Sequence, residues 1–239
     1  MHQVHFSLQG KGGVGKSLLA SLLIQYLNSK DSPVHAIDTD PVNSTLAGYK
    51  GFSTELLPIM EDGNVVPRRF DALIENILET PSNFVIDNGS SSFIALNHYL
   101  AENEAIKLIA DSGKRPVIHT VITGGQAMMD TLQGFNSLAE QLPEEARLIV
   151  WLNHYFGDVE AEEKGFEQMR VYEKHKARVH GIVQIQRQTS STFGTDMQMM
   201  LDSKLTFAEV DQSPEFGLMS RQRLKQIRTA IWNQLDAVI

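Results

Sequence analysis

Eight consecutive residues near the N-terminus, Gly10-Lys11-Gly12-Gly13-Val14-Gly15-Lys16-Ser17, constrain this chain more than any other feature. They satisfy G-x-x-x-x-G-K-[ST]. In that pattern glycines let successive backbone N–H groups point inward around phosphate oxygens, while the following helix turns its positive end to the same anion. Such a loop needs a strand before it and a helix after it, and both flanks fit. Val4, Phe6 and Leu8 alternate with other residues at the strand period. Residues 18–27 are apolar on every side, from Leu18, Leu19 and Ala20 to Tyr26 and Leu27, which predicts a buried helix. The backbone from Gly10 through Gly12, Gly13, Val14 and Gly15 to Lys16, Ser17 and Leu18 is the expected phosphate cradle. Lys16 would reach the β- and γ-phosphates, and Ser17 would give its hydroxyl to Mg²⁺.

The rest of the chain repeats the strand-then-helix alternation. Short apolar runs at 34–37, 84–86, 117–122, 148–152 and 179–185 read as strands, and residues 70–78, 127–142 and 166–174 read as helices. This order predicts an α/β fold, a mostly parallel sheet with helices on both faces. Ligands of such sheets sit outside the carboxyl ends of the strands, so the residues after each run become the candidates. They are Asp38, Thr39 and Asp40, then Asp87, Asn88 and Gly89, then residues 123–126, then Asn153. Asp87 follows Phe84-Val85-Ile86 as a Walker B carboxylate would, and with Asp38 and Ser17 it makes up the candidate metal set. A carboxylate at Asp38 or Asp40 could instead orient a water for attack on the γ-phosphate, or cap the next turn.

Composition narrows the class further. The 239 residues carry 21 basic and 29 acidic side chains, a formal net charge of −8, so direct nucleic-acid binding is not expected. There is no cysteine, which excludes disulfides, thiolate zinc sites and cysteine-held iron–sulfur clusters. No run approaches membrane-spanning length and no export signal is visible, so a cytoplasmic location is expected. No linker or repeat divides the sequence, and residues 1–239 are expected to form one domain.

The lysine-first loop, together with Asp38-Thr39-Asp40-Pro41 and the strand ending in Asp87, resembles the deviant Walker A ATPases of the ParA/MinD family. The resemblance implies a P-loop NTPase fold, ATP and Mg²⁺ as ligands, and a homodimer in which two protomers enclose two nucleotides. It further implies Lys11 as the cation that crosses to the partner's phosphates and Lys16 as the lysine of the protomer's own site. Asp40 would position the attacking water, and Asn153 would read the adenine edge. Hydrolysis is then expected to be slow alone and faster with a partner, because cation fingers of this kind are worth on the order of 10³ to 10⁵ in rate. Segments 37–43, 86–93, 119–127, 150–153 and 221–225 also resemble proteins of plasmid conjugal-transfer regions. That likeness implies a protein partner in a type IV secretion-linked apparatus.

The match has departures and alternatives. The family commonly carries a proline soon after the Walker B aspartate, where this chain has Asn88-Gly89-Ser90. The absent cysteines remove the relatives that hold iron–sulfur clusters or a zinc clasp. A dethiobiotin-synthetase-like ligase, passing the γ-phosphate to a small acid, is the alternative enzyme, and a nucleotide-loaded module that barely hydrolyses is the alternative binder. The segment 120–126 fits a helix-capping turn or a partner contact equally well. Leu224, Ile227, Ile231, Leu235 and Val238 make a helical stripe expected to pack on the sheet, membrane attachment being the weaker alternative. Met197, Met199 and Met200 are expected in the core and the histidines as ordinary surface or core residues, while the acidic run 158–163 is expected to open a helix.

Overall fold

The computed structural model describes residues 1–40 and 42–239; Pro41 of the Asp38-Thr39-Asp40-Pro41 motif lies outside the described residues. The chain opens with β1 (Gln3–Ser7), crosses the glycine-lysine loop into α1 (Lys16–Asn28) and returns as β2 (Val34–Asp38). A short strand, β3 (Glu55–Leu56), and a hairpin of β4 (Met60–Glu61) and β5 (Asn64–Val65) precede α2 (Phe70–Glu79) and β6 (Asn83–Asp87). Next come α3 (Phe93–Glu102), α4 (Ala105–Asp111), β7 (Arg115–Thr123), α5 (Met128–Gln141) and β8 (Arg147–Asn153). A second hairpin, β9 (Glu160–Ala161) and β10 (Lys164–Gly165), leads through α6 (Arg170–His175) to β11 (Val179–Ile185). The chain closes with α7 (Thr195–Asp202), α8 (Phe207–Val210) and α9 (Leu218–Val238).

Seven strands form one sheet in the order β11-β8-β7-β1-β6-β2-β3, and every neighbouring pair is parallel. The strands that precede β7 in the chain lie on one side of β1, and β7, β8 and β11 lie on the other. The winding therefore reverses at β1, and the crevice beyond the carboxyl ends at such a reversal is where open α/β sheets take their ligands. The glycine-lysine loop starts at that point.

Both faces of the sheet are covered, which is why its strands are apolar at nearly every position. Phe6, Ile86, Ile118 and Val150 point into the layer beneath α2, α3, α4 and α5. Val85, Val117, Ile149 and Trp151 point into the other, beneath α1, α7, α8 and α9. Each large side chain so buried contributes about 1.5–3 kcal/mol through removal from water. The stripe of Leu224, Ile227, Ile231 and Leu235 on α9 is buried in the second layer, so its apolar face is already used. No helix among the described residues is long and apolar enough to cross a membrane.

Three expectations are corrected. The acidic run 158–163 does not open a helix: it leads into the β9–β10 hairpin, whose turn holds Glu162 and Glu163 at φ 51° and 61°. The helix expected over 166–174 is a single 3₁₀ turn at 166–168 followed by the short α6. Of the three methionines, Met200 alone is fully buried, Met199 is exposed, and Met197 faces a cavity described below.

Candidate nucleotide site

The loop takes its shape from two backbone requirements. Gly13 and Gly15 sit at φ 74° and 106°, a region that residues with a Cβ rarely enter. Gly10 and Gly12 pack against the segment after β6: an added Cβ would stand 3.0 Å from the Phe93 ring and 3.3 Å from Ser90 Oγ. The helix α1 begins at Lys16 with no side-chain cap and no acidic residue in its first turn. Its first N–H groups are thus left to an anion at the loop.

Lys16 is buried behind this cradle, its Nζ donating to the Lys11 carbonyl at 3.0 Å. Burial lowers its pKa, against the opposing pull of the Asp87 and Asp40 carboxylates. Asp87, at the end of β6, is 1% exposed, and neither carboxylate oxygen has a hydrogen-bond partner. Burial pushes this carboxyl up to about 7; the nearby Ser17 hydroxyl and the Lys16 ammonium oppose the shift, and Asp38 and Asp40 reinforce it. A buried carboxylate without partners is costly, and the hard oxygens of Asp87 and Ser17 fit a small divalent cation. Among the described residues no group of three or more His, Cys, Asp or Glu gathers to hold a metal. Ser17 and Asp87 are the residues here that could hold such an ion, and Mg²⁺ commonly takes one or two protein oxygens with phosphate and water as its other ligands.

Asp38, of the expected metal set, is engaged by backbone N–H groups. Its Oδ1 accepts from the Asp40 N–H at 2.9 Å and its Oδ2 from the Leu46 and Ala47 N–H groups at 3.1 and 3.2 Å. These three bonds brace the loop after β2 on the Asp38 carboxylate, whose Oδ1 keeps a lone pair. Asp40 accepts from the Val42 and Asn43 N–H groups at 2.9 and 3.0 Å through Oδ1. Its carboxylate fills the space a side chain would need at position 89, where a Cβ would lie 2.7 Å from Asp40 Cγ.

Several residues around the site carry no motif. Asn88, fully buried where the family's proline is absent, accepts from Thr39 Oγ1 at 3.0 Å and Ser92 Oγ at 2.9 Å. It thereby ties the loops after β2 and β6 together. Gln9, also buried, donates to the Val121 and Thr131 carbonyls at 2.9 and 3.2 Å. The Lys11 Nζ pairs with Asp130 Oδ2 at 2.7 Å. Thr123 Oγ1 donates to the Asn153 carbonyl at 3.1 Å, so the 120–126 segment is bound to the end of β8.

Beside the loop lies a cavity of about 550 Å³ whose wall includes Gly13, Gly15, Leu18, Asn153, Tyr155 and Met197. Asn153 donates through Nδ2 to the Val14 carbonyl at 2.9 Å and accepts from the Tyr155 N–H at 3.1 Å. One amide N–H and one oxygen lone pair remain for a ligand. The cavity is of a size for a nucleobase and ribose, with the phosphate cradle at its edge.

A seven-stranded parallel sheet, a glycine-lysine loop at its winding reversal and carboxylates at successive strand ends define a P-loop nucleotide-binding protein. The family model described as "CobQ/CobB/MinD/ParA nucleotide binding domain" matches residues 6–201, and the chain belongs to that family. Among its relatives, it is 47% identical over 237 residues to Protein TraL of Escherichia coli, an alignment covering 99% of this chain and 98% of that protein. In three dimensions it resembles MinD in the MinC:MinD cell division complex of Aquifex aeolicus, with TM-score 0.54, 16% identity and 95% and 93% of the two chains covered. It also resembles the septum site-determining protein MinD of Pyrococcus horikoshii, solved with Mg-ADP, with TM-score 0.53, 16% identity and 96% and 95% covered.

Proposed function

We propose that this chain is a Mg²⁺-dependent ATPase that alternates between a monomer and an ATP-sandwich homodimer, and that it acts in plasmid conjugal transfer. The observation that carries the reading is the Asp87 carboxylate, buried and unpartnered beside Ser17 and Lys16 at the mouth of a glycine-rich loop. Bound there by Ser17 and Asp87, Mg²⁺ would neutralise phosphate charge. The chain's own groups do the rest. The N–H groups from Gly10 to Leu18 hold the phosphates, and Lys16 exchanges the Lys11 carbonyl for a phosphate oxygen. Asp40 orients a water, and Lys11 of each protomer supplies the cation that completes the other's site. Because phosphoryl transfer depends on positioning and charge, a site completed only in the dimer hydrolyses slowly until it is assembled. Asn153 and the adjoining cavity receive the base, with ATP preferred.

The Mg-ADP bound by the Pyrococcus MinD supports the choice of nucleotide and metal, and the MinC:MinD complex supports a working mode with a protein partner. Likeness to TraL over nearly the whole chain supports a setting in plasmid transfer and a partner in the conjugal apparatus. All residues 1–239 would then work as one ATPase domain.

Nucleotide binding and phosphate release in two variants test this reading. Lys16→Ala should lose ATP binding. Lys11→Ala should keep it and lose dimer-dependent hydrolysis by a factor on the order of 10³. Unchanged hydrolysis in Lys11→Ala would sink the shared-site reading, and phosphate release that requires an added organic acid would favour a ligase.

A further inference from the structure

We propose that Asp130 is a positioning residue for Lys11, holding it on its own protomer until a second copy of the chain, carrying nucleotide, competes for it. The proposal deepens the shared-site reading and rests on it. Its basis is the ion pair itself: Lys11 Nζ lies 2.7 Å from Asp130 Oδ2, and the two side chains are 45% and 55% exposed. Asp130 stands in the first turn of α5, where the helix end favours a carboxylate. The pairing is set by the backbone as well. Buried Gln9 bonds to the Thr131 carbonyl next to Asp130 and accepts from the Lys11 N–H at 3.4 Å, so one residue aligns both partners.

Two further features make the pair a competitor instead of a fixture. It lies in an open groove of about 810 Å³ between α3 and α5, whose wall includes the exposed side chain of Ile94, 79% accessible. An approaching protomer can reach it. The backbone carbonyl of Lys11 is held by Lys16 Nζ, the ammonium that phosphate would claim. Nucleotide therefore loosens Lys11 at its backbone while Asp130 still holds its tip. A half-exposed pair is weak, and a phosphate group with more than one negative charge outcompetes a single carboxylate. Each dimer breaks two such pairs, one per protomer, so their cost counts twice in the assembly equilibrium.

The test is sedimentation velocity of the full chain with Mg²⁺ and ATP over a range of protein concentration, comparing wild type, Asp130→Asn and Asp130→Glu. Asp130→Asn is expected to dimerise at about twofold to thirtyfold lower concentration, the range for removing two exposed ion pairs. Asp130→Glu, which keeps the charge, should return to the wild-type midpoint. A midpoint in Asp130→Asn equal to or above that of dimerising wild type would overturn the role of Asp130 and leave the shared site standing. A wild type that stays monomeric with ATP would overturn both.

Discussion

Gly89 and Asp40 occupy one another's space. An added Cβ at position 89 would meet the Asp40 carboxylate at 2.7–3.0 Å, so the residue after Asn88 is small because a carboxylate from the loop after β2 lies over it. Gly89→Ala should push Asp40 aside. Hydrolysis is expected to fall at least about tenfold while ATP affinity and folding stability change little, because a misplaced group costs positioning and not binding. Steady-state phosphate release beside nucleotide titration checks this, and unchanged release would separate Asp40 from the chemistry. Asp87 presents the opposite case: it crowds nothing and lacks partners. Replacing it with Asn removes a buried charge whose burial outweighs what Lys16 and Ser17 return, so at pH 8 ligand-free Asp87→Asn should melt higher than wild type, by roughly 1–3 kcal/mol of stability, and lose its response to Mg²⁺. A lower melting point without ligand would mean that Asp87 already has a partner in the free protein.

Between the elements, the second layer hides a polar relay across β8, β7 and β1. Trp151 Nε1 donates to His119 Nδ1 at 3.0 Å, and His119 Nε2 meets His5 Nδ1 at 2.9 Å. Indole only donates, so neutral His119 carries its proton on Nε2 and passes the bond to His5, whose own Nε2 is left without a partner. Burial lowers His5 to about 3, and burial together with His5 holds His119 well below the usual range. Below about pH 6.5 the unfolded chain takes up two protons that the folded chain refuses. The stability these two rings contribute is thus complete above that pH and falls as pH drops toward 3. The two rings contribute a loss of about 2–3 kcal/mol per pH unit there. Urea midpoints of Asp87→Asn at pH 7 and pH 5 measure it free of the opposing proton uptake by the Asp87 carboxyl, and a flat profile in that variant would contradict the buried neutral pair. The same elements show how much is legible in sequence. The six longer strands and α1, α2, α5 and α9 announce themselves because burial on a defined face leaves a period. The two-residue strands β3, β4, β5, β9 and β10 are too short to have one. In the acidic run, turn backbone at Glu162 and Glu163 overrides the helix that charge alone would favour. In the site, the loop and the strand-end carboxylates are legible because motif and ligand chemistry coincide. Gln9 and Asp130 are not, since each acts through a contact far along the chain, and for Asn88, a strand-end candidate, the same is true of its tie to Thr39. Nor does sequence reveal that backbone N–H groups bond to Asp38.

At the scale of the whole molecule, the winding reversal at β1 puts the loop, the Asp87 strand end and the cavity at one edge of the sheet. The Lys11 side chain is half-exposed and held by Asp130, while Lys16 is buried. That this lysine serves a second molecule is the central claim of the proposed function. A mixing experiment tests it most directly. Lys11→Ala and Asp40→Ala are each expected to be inactive as homodimers. In a mixed dimer, however, the Lys11→Ala protomer keeps its own Asp40 and receives Lys11 from its partner. An equal mixture of the two inactive proteins should therefore recover ATP hydrolysis, up to about a quarter of the wild-type rate, since half the dimers are mixed and each has one complete site. Recovery at that level is the predicted result; a mixture as inactive as its components would contradict a site shared between two protomers.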